Sequence, residues 1–353
     1  MEDNTFLLYG AYGYTGQLIA RLAAEYGLKP ILAGRNEAKL KALAKETGLE
    51  YLVVNLTDTN TLIHALHKVP VVLHAAGPFI HTAQPMIEAC LETKTHYLDI
   101  TGEIEVFELA HRYGPAAEQN DVMLMPGTGF DVVPTDCMAK YLAEQLPDAT
   151  HLDLAFAMRG GRVSHGTANT MVEGLGESGK IRRNGKIIDV PLGHRSQTIA
   201  FAEDFTTLTM AIPWGDVSTA YYTTGIPNIT TFTRVTPAAY SLVGILPYLG
   251  WLLKMNWLRK LFRSRISAAP AGPTAEERAR GSSYVWGQVS DDEGNRVTAR
   301  FRGPEGYTLT AHASLIITKR VLAGEVFPGH LTPAGAYGPD LVLEIPGTRR
   351  ELG

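Results

Sequence analysis

The stretch Gly10-Ala11-Tyr12-Gly13-Tyr14-Thr15-Gly16 constrains the fold more than any other part of the chain. It follows the apolar run TFLLYG (5–10) and opens a segment, Tyr14 to Tyr26, where Leu18, Ile19, Leu22 and Ala23 recur at helical spacing. A strand, a glycine turn and a helix in that order begin a dinucleotide-binding βαβ unit. Gly10 permits the tight turn, Gly13 admits a pyrophosphate close to the backbone, and Gly16 lets the helix pack on the sheet. Tyr12, Tyr14 and Thr15 complete the turn and belong with the predicted cofactor contacts. The helix start offers unpaired N–H groups and a partial positive charge to phosphate. The spacing G-x-x-G-x-x-G is one residue off the commonest fingerprint, so its specificity comes from the flanking strand and helix.

The alternation continues. KPILAG (29–34), LEYLVVN (49–55), VPVVLHAAG (69–77), THYLDI (95–100) and VMLMPG (122–127) read as strands. Helical patterns over 36–46, from a cap at Asp58 to about His67, 85–93 and 103–119 separate them. Strands separated by helices imply right-handed crossovers and a parallel sheet, so the expected class is α/β, a doubly wound parallel Rossmann sheet.

The second strand ends on Gly34-Arg35-Asn36, where NAD sites often carry an acid for the ribose hydroxyl. A guanidinium can clamp a 2′-phosphate that a carboxylate would repel. Arg35, with Asn36 and Lys39 assisting, therefore points to NADP(H); the alternative is a surface arginine at a helix start. Ala76, Gly77, Pro78 and Phe79 follow the fourth strand at the carboxyl edge, where ligands of open sheets collect. They leave room for the nicotinamide side.

Together GAYGYTG (10–16), AGRNEAKL (33–40), the long segment 75–103 ending HYLDITGE, and PGTGFDVVPTDC (126–137) resemble the saccharopine dehydrogenase-like oxidoreductase family. The branch that includes trans-acting enoyl reductases is the most similar. SHGTANTMVEGL (164–175), GDVSTAYYTTGIPNI (215–229), ERARGSSYVWGQV (277–289) and GHLTPAGAYG (329–338) extend the resemblance over nearly the whole chain. It implies a Rossmann domain over 1–148, an α+β substrate and dimerisation domain over 149–328, and a C-terminal helix, within 329–353, returning to the first domain. It implies an NADP(H)-dependent reduction of a C=C or C=N bond in a small or lipid-like (acyl) substrate, by a homodimer. It does not imply saccharopine as substrate. A non-catalytic, membrane-associated regulatory protein that binds NADP(H) is the alternative, because fold alone does not decide activity.

Asn184-Gly185, between KIRR and KIIDV, signals a two-residue hairpin, and Asp291–Asn295 a second turn. Antiparallel strands with helices on one face are expected there. Between Asp216 and Glu276 there is no acid, while Arg234, Lys254, Arg259, Lys260, Arg263 and Arg265 are basic. The stretch 235–265 reads either as a peripheral membrane contact or acyl-pocket lid, or as a dimer interface or core element.

A chain of 353 residues has room for two cores, and a net charge of −4 argues against a dedicated nucleic-acid binder. Cys90 and Cys137, the only cysteines, have no metal-ligand spacing and no base beside them in sequence, which predicts packing roles. No metal motif is present. The first residues lack a basic, then apolar leader, which predicts a cytoplasmic location, with peripheral membrane contact left open.

Hydride chemistry needs a polar group to meet charge developing beside the attacked carbon. Tyr97, Asp99, Thr101 and Glu103 follow the fifth strand, and Asp131 and Asp136 the sixth. Asp99, Glu103 and Asp131 are the candidate catalytic acids if burial raises a pKa toward neutrality. Their alternative is capping and loop-tying. His165 is a candidate substrate contact. No Tyr-x-x-x-Lys pair is present.

Overall fold

The computed structural model describes residues 4–160, 162–174, 176–243, 255, 264–266 and 268–353. It divides into two compact units, residues 1–133 with 307–336, and 134–306 with 337–353.

In the first unit β1 (Thr5–Tyr9), α1 (Tyr14–Leu22), β2 (Lys29–Gly34), α2 (Glu37–Thr47), β3 (Tyr51–Val53), α3 (Thr59–Leu66), β4 (Val71–His74), α4 (Ala83–Thr93), β5 (His96–Asp99), α5 (Ile104–Gln119) and β6 (Met123–Met125) alternate. The strands pair in parallel, and the sheet runs Gly329–His330, β6, β5, β4, β1, β2, β3. The doubly wound reading therefore holds. Strand order reverses between β1 and β4, so the crevice for a ligand opens at the carboxyl ends of those two strands.

Local chemistry explains the element ends. Asn36 accepts from Lys39 N–H and caps α2; Asp58 accepts from Thr61 N–H and caps α3. The first helix is shorter than its pattern, since Ala23–Tyr26 tightens into a 3₁₀ turn closed by Gly27. All four residues of β4 are buried, as its continuous apolar run requires of a strand covered on both faces.

The second unit holds a nine-stranded sheet. Its main path is Ser196–Ala202, Phe205–Ile212, Asn228–Arg234, His151–Arg159, Ser282–Ser290, Arg296–Pro304 and Arg349–Leu352. The hairpin Gly179–Arg183/Lys186–Val190 turns at Asn184-Gly185, both in the left-handed region as that dipeptide predicts. Pairing is antiparallel except between Asn228–Arg234 and His151–Arg159, which run parallel. Ala155, Ala157, Phe201, Phe205, Phe232, Tyr284 and Trp286 form its core.

The expected domain limits shift. Helix Val133–Gln145 goes with the second unit, because Leu142 and Met138 pack against Gly287. The chain returns to the first unit at Tyr307, earlier than residue 329, with Thr310 accepting from Phe130 N–H. Of the C-terminal segment only residues up to Ala336 return; Arg349–Leu352 instead pairs with Arg296–Pro304. Backbone pairing with a long strand satisfies groups that a helix pattern did not foresee.

Most of 235–265 lies outside the described residues. Among the described residues no helix is long and apolar enough to cross a membrane, and no His/Cys/Asp/Glu group could hold a metal.

A methyl at Gly16 would sit 2.4 Å from the Gly10 carbonyl oxygen. Gly16→Ala should therefore lower unfolding free energy by about 2 kcal/mol, the scale of an overpacked core site. Urea titration checks this, and an unchanged midpoint would contradict the packing.

Candidate active site

The β1–α1 turn has no slack. Gly10 adopts φ 84°, and a methyl there would meet the Ala75 carbonyl and Ala76 Cβ at 2.8 Å. The start of α1 lies at Gly13 with no side-chain cap and no acid in the first turn, unlike the capped α2 and α3. An anion is the natural complement of that end. Tyr14, on the first turn, packs edge-on against Tyr307 at 5.0 Å, and Thr15 and Gly16 follow it in the helix. Tyr12 crosses to β2: its ring lies against Gly34, where a methyl would come within 2.7 Å, and Lys39 Nζ stands 5.6 Å from the ring centroid.

Arg35 is exposed just beyond β2, with no hydrogen bond or ion pair among the described residues. Asn36 is partly committed, because its carbonyl oxygen caps α2 at 3.0 Å; only its amide N–H groups remain to meet a ligand.

The candidate acids separate. Asp99 is fully buried; Oδ1 accepts from Thr101 N–H (2.9 Å) and Gly127 N–H (2.8 Å), and Oδ2 accepts from the Tyr97 hydroxyl (2.6 Å). Burial pushes its pKa up to about 7 against the opposing pull of these donors. A protonated Asp99 keeps every contact, with Oδ2–H donating to Tyr97. Glu103 accepts from Phe79 N–H (2.9 Å) and Ile80 N–H (2.7 Å), and burial moves its pKa upward. It clamps the segment after β4. It starts α5, yet its side chain makes no cap bond to that helix.

Asp131 is half-buried against Gly102, where a methyl would lie 2.9 Å from its Oδ2. Burial, then the Glu103 charge, pushes its pKa up to about 7. The three carboxyls thus gather at the carboxyl ends of β5 and β6. Asp136 does not join them; it lies in the second unit and accepts from the Thr223 hydroxyl.

Ala76 sits beside the glycine turn, and Gly77, Pro78 and Phe79 follow it along the loop. The Ala76 carbonyl accepts from the Thr82 hydroxyl, and Phe79 is buried with its ring edge-on to His74 at 5.2 Å. His165 is far from these residues in role: its Nε2 bonds the Ala269 carbonyl and its N–H the Ala271 carbonyl. Cys90 and Cys137 are buried, and desolvation pushes both thiols up, which fits packing residues.

Residues 6–125 match the family described as Saccharopine dehydrogenase NADP binding domain. Among curated proteins, rat saccharopine dehydrogenase-like oxidoreductase is 26% identical over 211 residues, covering 52% of this chain and 49% of that protein. Caenorhabditis elegans lipid droplet localized protein is 25% identical over 194 residues, 50% of this chain and 46% of that protein. Mycobacterium leprae trans-acting enoyl reductase is 31% identical over 146 residues, 38% of this chain and 34% of that protein. The first of these matches spans about half the length of the relative. The apo structure of Saccharomyces cerevisiae saccharopine dehydrogenase (L-Glu forming) shares the fold, at TM-score 0.68 and 16% identity over 99% of this chain and all of that one.

NADP(H) is the cofactor of a saccharopine dehydrogenase NADP-binding domain, and the residues present fit it. The uncapped α1 start suits the pyrophosphate, and the exposed guanidinium beyond β2 suits a 2′-phosphate. The methyl-free approach at Gly10 keeps the crevice floor close to the backbone.

Sequence reasoning missed His74 and Thr82. His74 ends β4, is fully buried and neutral, its pKa driven down to about 3 by desolvation, and its Nε2 lies 2.9 Å from Thr82 Oγ1. A single histidine closing an apolar strand carries no signal of such a role; only the shared loop geometry reveals it.

Asp99→Asn preserves the geometry, with its amide donating to Tyr97, and should melt at or above the wild-type temperature. Asp99→Ala strands two buried N–H groups and should cost about 3 kcal/mol. A carboxyl raised from 3.8 to about 7 contributes stability below about pH 4 that is lost as pH rises through 7. Melts at pH 4 to 8 should show that part of the slope missing in Asp99→Asn; identical slopes would refute the buried proton.

Proposed function

We propose that the chain is an NADP(H)-dependent oxidoreductase that reduces a C=C bond of an apolar, acyl-type substrate, with Asp131 as the group that handles the proton. Bound at the carboxyl edge, NADPH supplies a hydride to one carbon of the double bond; the neighbouring carbon then needs a proton. Asp131 supports that role because it stands half-buried at the same edge against Gly102, and burial with the Glu103 charge beside it moves its pKa upward, toward the range where a carboxyl can hold a proton and release it near neutral pH. This is the observation that carries the reading. Asp99 and Glu103 spend their oxygens on backbone N–H groups and are read as supports.

A C=N substrate of the amino-acid type would need free cations for its carboxylates. Three arginines of the second unit already hold partners: Arg159 pairs with Asp204, Arg162 with Glu277, and Arg182 donates to the Val217 and Gly185 carbonyls. The similarity to a relative named trans-acting enoyl reductase and to one named lipid droplet localized protein points the same way.

NADPH oxidation should be seen with 2-enoyl thioesters of medium to long chain and be weak with imines of 2-oxo acids. Turnover on the imines alone would reverse the assignment, and tight NADPH binding without turnover on either would favour a non-catalytic regulator. Asp131→Asn should cut kcat by about a hundredfold, the lower range for a lost general acid, with KM for NADPH little changed. For the cofactor, Arg35→Asp should weaken NADPH binding by at least about tenfold, on the scale of one lost charge-assisted clamp, and leave NADH binding nearly unchanged. Equal losses in calorimetry would remove Arg35 from the site.

A further inference from the structure

The segment that leaves β4, Ala75–Thr82, is a loop tied down at each end and in its middle. At its root His74 closes β4 fully buried, and its Nε2 lies 2.9 Å from Thr82 Oγ1. The Thr82 hydroxyl donates onward to the Ala76 carbonyl at 2.9 Å, so it accepts from His74 and fixes the imidazole proton on Nε2. In the middle, the two oxygens of Glu103 each take one backbone N–H, from Phe79 and from Ile80. The Phe79 ring stands edge-on to His74 at 86°, which locks the turn between the two anchors. Glu103 comes from the start of α5, 23 and 24 positions beyond the groups it holds.

The place of this loop gives the ties a purpose. Ala75 and Ala76 lie against Gly10, so the loop is continuous with the glycine turn that receives the pyrophosphate. It borders the β1/β4 switch point on the side away from β2 and Arg35. The adenosine half of the cofactor is therefore served by the β2 side, and the nicotinamide half by this loop.

We propose that His74, Thr82 and Glu103 are positioning residues for the nicotinamide half of the cofactor: they hold the backbone of 75–80 as a preformed wall against which the ring lies. The exposed side chain of Ile80 then borders the same wall and offers an apolar contact to whatever the ring faces. A loop ordered in advance is not ordered at the cost of binding energy, and the ring is held in one orientation for transfer. This rests on NADP(H) lying along the carboxyl edge of the sheet.

The test compares two ligands by calorimetry, NADPH and 2′,5′-ADP, which carries the adenosine 2′-phosphate half without nicotinamide. Glu103→Ala and Thr82→Val should weaken NADPH by about tenfold or more, through lost preorganisation, and keep 2′,5′-ADP within about twofold. Glu103→Gln, which keeps one acceptor oxygen, should recover part of the loss. The emission shift of bound NADPH, a property of its nicotinamide, should shrink in the same order. Retained 2′,5′-ADP binding also reports that each variant is folded. Equal weakening of both ligands, or unchanged NADPH affinity with an unchanged emission shift, overturns the proposal. If the wild-type protein binds neither ligand, the cofactor reading itself falls and takes this one with it.

Discussion

A backbone-to-backbone contact without side chains organises the first unit. Gly10 and Gly16 face each other across the β1–α1 turn, and Gly10 also touches the segment leaving β4. Close packing leaves no volume for even one methyl at either place, and this draws the helix start, the first strand and the β4 loop together. The anion-attracting end of α1 is thereby fixed beside the switch point of the sheet. Each later feature of the cofactor crevice takes its position from that contact.

Around the crevice, carboxyl groups at adjoining strand ends do different things for a simple reason: their oxygens meet different partners. Asp99 lies deep, and the loop after β6 folds onto it through Gly127 N–H, so the carboxyl serves as a pin between β5 and β6. Glu103 reaches backward to the β4 loop and fixes it. Asp131 stands half-buried at the edge, in a place opened by the absence of a side chain at Gly102. Burial raises all three pKa values, so the shift alone does not distinguish a pin from a proton donor. The backbone N–H groups that Asp99 and Glu103 hold mark those two as pins.

The second unit shows how charge is spent on architecture. Arginine groups lie over aromatic rings there, Arg159 over Phe205 at 4.3 Å and Arg182 over Tyr221 at 4.1 Å. Arg195 is paired with Asp153 and lies 5.2 Å from the Phe232 ring centroid. Cations used in this way brace the sheet.

The alternation of strands and helices, the glycine turn, the cap at Asp58 and the hairpin at Asn184-Gly185 were legible in the sequence, because each depends on residues within a few positions of one another. The cofactor class was legible for the same reason, since the turn and Arg35 belong to one βαβ unit. Tertiary structure alone decided the seventh strand of the first sheet, a two-residue piece contributed by Gly329–His330, and the pairing of Arg349–Leu352 with the second sheet. It also decided which acid is a support and which stands at the edge, and that His74 holds a loop. The supporting carboxyls meet donors brought from 23 to 28 positions away and the added strands come from the far end of the chain, and a linear pattern carries no information on which distant N–H group will meet a given carboxyl.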